Sequence, residues 1–170
     1  MTLFWFFMLF LAAQRTAELF LANRNEAKLK RLGAVEIDRG GYRFIVLMHL
    51  LFFVSLIVER VFIREAPNRE WPVFLGLFSL AQVLRYWSIA SLGIYWNTKV
   101  IVLPNHPRIQ NGPYKLFRHP NYIAVIVELA VIPIIFSCYI TATVFSIVNA
   151  FVVARRMEIE MRALRGYSGQ

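Results

Sequence analysis

Two short stretches of this chain hold side chains suited to chemistry. The first, "NGPYKLFRHPNY" at residues 111–122, packs a glycine, two prolines, a histidine, two tyrosines, a lysine and an arginine into one segment. Asn111-Gly112-Pro113 is a turn signature. Pro120 restricts His119 to extended geometry and favours a helix starting directly after it. Arg118 and His119 therefore stand on a loop at the amino end of a helix, where unpaired N–H groups and a partial positive charge gather. An arginine, a histidine and a helix amino terminus together suit a carboxylate or a phosphate, on a ligand or on lipid headgroups at the interface. In the second stretch Ser146, Asn149, Arg156 and Glu160 follow at steps of three, seven and four. That spacing lines them along one face of a helix. The stripe begins inside an apolar segment, where water cannot solvate it, which favours a ligand or a partner helix. Arg155, Glu158 and Arg162 form a neighbouring stripe that reads as solvated ion pairs.

Other polar residues fall within apolar segments, where ionisable groups are costly and are paired or functional. Arg85 and Glu128 belong to different segments; they pair with each other, or one of them faces a ligand. Arg15 and Glu18 share a helix face three residues apart and read as mutually neutralising. Glu59 and Arg60 lie near a segment end and are expected to reach the interface. His49, on an apolar helix, reads as a packing residue.

The elements that must position these groups are membrane helices. The 170 residues are 58% apolar and 15% aromatic, with a mean hydropathy of +0.53, the composition of an integral membrane protein. Apolar runs cover about 2–22, 44–63, 72–94, 121–137 and 139–154. They predict an all-α bundle of about five transmembrane helices in one domain. A three-span part occupies 1–95; the polar loop, a tight helical hairpin and a last helix occupy 96–170. The two hairpin segments are short for full spans and also allow a re-entrant pair. The first run carries Arg15 and Glu18 and lacks a small-residue cleavage site, so it reads as a retained span rather than a signal peptide.

The net charge of +9 would suggest nucleic acid in a soluble protein; here it reads as basic cytoplasmic loops. Segments 23–43, 95–120 and the tail after 154 hold six, four and four Lys/Arg, against two in 64–71. The positive-inside rule then predicts a multi-pass protein of the cell's inner membrane, with its amino terminus outside and its carboxy terminus in the cytoplasm. The single cysteine, Cys138, rules out an internal disulfide and a Cys-based zinc site. No G-x-G-x-x-G loop follows a strand, which excludes a soluble Rossmann methyltransferase.

"GPYKLFRHPNY", an apolar hairpin and then "ARRMEIEMRAL" together resemble the isoprenylcysteine carboxyl methyltransferase family. The pattern falls on Gly112-Pro113-Tyr114, Arg118-His119-Pro120, Tyr122, Arg156, Glu160 and Leu164, and "LGIYWN" at 92–97 resembles the family's approach to this region. Where the family often has two adjacent acidic residues, this chain has Glu158-Ile159-Glu160. The resemblance implies S-adenosylmethionine as methyl donor on the cytoplasmic side, bound by Tyr114, Arg118, His119, Pro120, Asn121 and Tyr122. It places Arg156 and Glu160 at the transfer end. Asn149, Arg85 and Glu128 are the candidate contacts of the acceptor.

The expected activity is O-methylation of a lipidic acceptor at the membrane. The acceptor would be a prenylated cysteine carboxylate or a small lipid such as an alkyl pyrone. A carboxylate is already anionic at pH 7 and needs no strong base; for an enol or phenol, Glu160 or His119 is the candidate base. The competing readings are a membrane reductase using NAD(P)H through a related carboxy-terminal fold, and a transporter with Arg15, Glu18, Arg85 and Glu128 along its path.

Overall fold

The computed structural model describes residues 1–63, 66–104, 106–107 and 109–167. Five helices carry the chain: α1 (Thr2–Arg31), α2 (Arg39–Ile63), α3 (Trp71–Leu92), α4 (Pro120–Ile135) and α5 (Tyr139–Tyr167). Pro72 sits in the first turn of α3 and Pro120 in that of α4, where the missing N–H costs nothing and the fixed φ already suits a helix. Ser137, at φ 61°, turns the chain between α4 and α5, and its hydroxyl donates to the Ala66 carbonyl at 2.9 Å.

The helices are sided for lipid. Phe20, Phe62 and Phe151 point outward, while the inward stripe of α1 runs through Phe4, Met8, Leu11, Gln14, Glu18, Ala22, Asn25 and Leu29. Four helices, α1, α2, α3 and α5, have the length and apolarity to cross a membrane. The expected fourth span, α4, has 16 residues, about 24 Å at 1.5 Å per residue against a hydrocarbon core of about 30 Å.

The core changes character along the bundle axis. At one end Phe4, Phe7, Phe78 and Phe136 pack edge-on or tilted, with ring centroids 5.0–5.3 Å apart, a geometry aromatic quadrupoles favour. Next comes a polar layer. Glu128 is fully buried and takes a two-pronged contact from Arg85, with Nε at 2.8 Å from Oε1 and Nη2 on Oε2. Arg15 reaches Glu128 as well, and donates to Glu18 at 2.6 Å. Arg85 Nη1 lies 3.4 Å from Glu18. Gln82 donates to Glu128 at 2.7 Å and Gln14 to Glu18 at 3.1 Å. The cluster holds two arginines and two glutamates, so its formal charge cancels. Arg15 and Glu18 do pair, as their spacing predicts, but within a cluster that joins α1, α3 and α4.

One expectation is corrected. Glu59 and Arg60 do not reach the interface: both are buried, and Glu59 accepts the Ile140 and Thr141 N–H groups at 2.9 and 2.7 Å. It caps the start of α5, whose N–H groups have no helical partners there. The all-α bundle also carries a short sheet between its helices. β1 (Val35–Ile37) and β2 (Val100–Val102) pair antiparallel, with Val35 opposite Val102 and Ile37 opposite Val100. Both strands are rich in β-branched residues.

Candidate functional site

The site lies where the 93–119 segment meets α4 and α5, and α1 holds that segment in place. Asn25 Nδ2 donates to the carbonyls of Gly93 at 3.1 Å and Trp96 at 2.8 Å. Asn97 Nδ2 donates to the Ala22 carbonyl at 2.9 Å, and Lys99 Nζ to Glu26 at 2.9 Å. The short sheet then pins 100–102. Past it, a 3₁₀ turn at Gly112–Lys115 rests against α3. Gly112 has φ +57°, and a side chain there would collide with Ser91 and Trp87. His119 occupies the cap position before α4 with φ −139° and ψ 63°; the φ is that expected before a proline, while ψ falls short of the extended range.

Tyr122 is the centre of the site. Its hydroxyl donates to Glu160 Oε2 at 2.6 Å and accepts from Arg156 Nε at 2.9 Å. Arg156 Nη2 donates to the Thr98 carbonyl, and its guanidinium lies 5.8 Å from the Tyr122 ring centre. The His119 ring stacks on Tyr122 at 5.4 Å, and its Nδ1 is 3.7 Å from Glu160. Arg156 and Glu160, four residues apart on α5, thus meet on one phenol supplied by α4.

Two cavities touch this centre. The first, about 170 Å³, is the more polar of the two, with Tyr95, Asn97, Lys99, Tyr114, Arg118, His119 and Glu160 on its wall beside strand β2 and aliphatic groups such as Leu92 and Leu164. The second, about 250 Å³, lies among α1, α2, α4 and α5 and is walled mainly by aliphatic groups such as Leu19, Ile45, Val125 and Val152. Its polar lining includes Arg15, Glu18, Tyr42, His49, Arg85, Asn149 and Arg156. Trp96, Asn121 and Tyr122 line both cavities. Trp96 Nε1, Asn121 Oδ1 and Asn149 Oδ1 are buried without a hydrogen-bond partner in the structure. Buried polar atoms are seldom left so, and here all three residues belong to cavity walls.

The structure thus brings Tyr114, Arg118, His119, Asn121, Tyr122 and Glu160 together around one cavity, and Arg85, Asn149 and Arg156 around the other. Pro120 is buried at the start of α4 and acts through the backbone. Glu128 stands with Arg15, Gln82 and Arg85 rather than on either cavity wall. Trp96, Tyr42 and His49 went unmarked as site residues by sequence reasoning. Only Trp96 carried a signal, its place within "LGIYWN". Of the second stripe, Glu158 pairs with Arg162 as expected, while Arg155 turns to Asp38 at 3.7 Å.

Apolar helices turned outward define a helical integral membrane protein, in which a cavity with charged side chains lies against a mainly apolar one. Residues 74–166 match the model of the isoprenylcysteine carboxyl methyltransferase (ICMT) family, and the chain belongs to that family. It is 41% identical over 166 residues to the uncharacterized protein YpbQ of Bacillus subtilis, covering 98% of this chain and 99% of that one. It is 25% identical over 153 residues to an uncharacterized protein of Haemophilus influenzae, covering 89% of each. No solved structure matches the chain.

Proposed function

We propose that this protein is an S-adenosylmethionine-dependent O-methyltransferase whose acceptor is a lipidic molecule reaching the site from the membrane. The observation that carries the reading is the pair of cavities meeting at Trp96, Asn121 and Tyr122, one lined by several charged and polar side chains and the other mainly apolar. A polar donor and a greasy acceptor need differently lined chambers that meet at one place, where the methyl group passes directly from one to the other.

The residues of the polar cavity fit the cofactor group by group. Tyr95, Tyr114 and Trp96 offer aromatic faces for a purine, and the unpartnered Trp96 Nε1 and Asn121 Oδ1 offer a donor and an acceptor to its polar edges. Arg118 suits a carboxylate, and Glu160 suits a cationic centre. Bound there, S-adenosylmethionine supplies a methyl group made electrophilic by its sulfonium. The chain's own contribution is positioning and exclusion of water. Glu160 and Arg156 both hold the Tyr122 hydroxyl, which fixes the ring at the place where donor and acceptor must meet for the methyl to pass. Arg156, on the apolar side, favours negative charge on the acceptor oxygen. An isoprenylcysteine-like carboxylate and the hydroxyl of a small lipid, such as an alkyl pyrone, are the two acceptor classes that this cavity suits.

Calorimetry on purified protein tests the reading. S-adenosylmethionine and S-adenosylhomocysteine should bind and NADPH should not. Binding of NADPH alone would replace the methyltransferase with a reductase.

A further inference from the structure

The apolar cavity carries a hydrogen-bond acceptor that the proposed transfer has not yet used. His49 lies on its wall, contributed by α2. Its Nδ1 is 2.8 Å from the Ile45 carbonyl. A carbonyl only accepts, so Nδ1 carries the hydrogen, and in the neutral ring Nε2 is left as a lone-pair nitrogen.

The other candidate bases on this wall are committed. Glu18 is held by Arg15 at 2.6 Å, by Arg85 at 3.4 Å and by Gln14 at 3.1 Å. The Tyr122 hydroxyl already donates to Glu160. His119 and Glu160 line the polar cavity and not this one. Arg15 and Arg85 are balanced by Glu18 and Glu128, so this end of the cavity offers no excess positive charge to a carboxylate. It offers instead an imidazole lone pair and the unpartnered, 1% exposed Asn149. Beside His49 such a lining gives a hydroxyl a proton acceptor, while Arg156, elsewhere on the wall, meets the negative charge that loss of the proton leaves.

We propose that His49 is the proton acceptor for a hydroxyl-bearing lipid, an enol or a phenol, seated in this cavity. The inference rests on the methyltransferase reading above. As the acceptor's O–H bond breaks, its proton passes to His49 Nε2 and the electron pair stays on oxygen. That oxygen forms the new bond to the donor's methyl carbon, and the electrons of the broken carbon–sulfur bond go to sulfur. The imidazolium then returns its proton to water. Arg156, on the same wall, faces the charge that develops on oxygen.

The test uses full-length protein in detergent and the probe 2-dodecyl-4-nitrophenol, whose phenolate is yellow. Without methyl donor, the wild-type protein should bind the probe with a raised phenolate fraction. His49→Gln and His49→Leu should lose that signal, and methylation of the probe should fall about 100-fold or more, the range of a positioned general base. S-adenosylmethionine affinity in both variants should stay within a few-fold of wild type, which also reports that they fold. A retained phenolate signal in both variants, or probe methylation within threefold of wild type, overturns the role of His49. Methylation of S-farnesylcysteine carboxylate with no turnover of the phenol also overturns it. Failure of wild-type protein to bind S-adenosylmethionine overturns the methyltransferase reading, and this inference with it.

Discussion

Tyr122 accepts from Arg156 and donates to Glu160 through one oxygen, so two charged groups depend on a single hydroxyl. Tyr122→Phe removes both bonds while keeping the ring on which His119 stacks. Hydrogen bonds to charged groups contribute about 1.5–3 kcal/mol each, so methyl transfer should fall at least tenfold, measured as single-turnover rate at saturating donor. Glu160→Gln keeps the shape and removes the charge; turnover should drop about 100-fold, the lower range for a positioned catalytic group. Near-normal turnover would reduce the Arg156–Tyr122–Glu160 chain to a structural brace. His119→Ala removes the ring that stacks on Tyr122 and faces the polar cavity. Its signature should be weaker S-adenosylmethionine binding, by about tenfold to a hundredfold for one charge-assisted contact, read by calorimetry.

The elements that carry these side chains are held by contacts outside the matched family region. Asn25 on α1 fastens Gly93 and Trp96, and β1 fastens β2. The loop's other anchor is Gly112. An alanine there would take on a left-handed backbone costing about 1–2 kcal/mol and would also strike Ser91 and Trp87. Gly112→Ala should therefore weaken S-adenosylmethionine binding without unfolding the bundle. Adding Ser91→Gly should restore part of the affinity, because it relieves the closer collision, with Ser91, but neither the contact with Trp87 nor the backbone strain. No restoration at all would mean that the backbone conformation alone sets the loop.

At the scale of the whole molecule, stability and orientation are both open to measurement. The buried cluster of Arg15, Glu18, Arg85 and Glu128 is neutral as a set. Glu128→Leu leaves two arginines facing one glutamate, and breaking a buried pair from one side costs about 3–5 kcal/mol. The thermal midpoint in detergent should fall clearly, and a midpoint unchanged within error would show that water already solvates the cluster. For orientation, the basic loops predict that a cysteine at Arg69 is labelled from outside the cell and one at Gln110 is not. Cys138 is buried and should contribute little background. Equal labelling at both positions would remove the five-span arrangement.

Five apolar runs, a turn at Asn111–Pro113, a helix starting at Pro120 and the Arg156/Glu160 stripe were all readable from the sequence. Each depends on local rules: run length, proline geometry and helical periodicity. The same rules missed what non-local contact decides. Periodicity extends no polar helix beyond its apolar run, so α1 was read to about residue 22 and not to Arg31. Three-residue strands have no pattern of their own, and the β1–β2 pair exists because α1 and the 93–99 segment bring two β-branched triplets side by side. Glu59 looked like an interface charge until α5 placed its bare N–H groups against it. His49 looked like packing, since nothing in its neighbourhood along the chain reveals that α1, α4 and α5 leave a cavity beside it. Sequence by itself determined which segments are apolar enough for a membrane and where side chains suited to chemistry gather, because residue polarity and proline stereochemistry act within a few residues. Tertiary structure alone decided that those residues stand around two chambers sharing Trp96, Asn121 and Tyr122, because a cavity is the space left between helices distant in sequence.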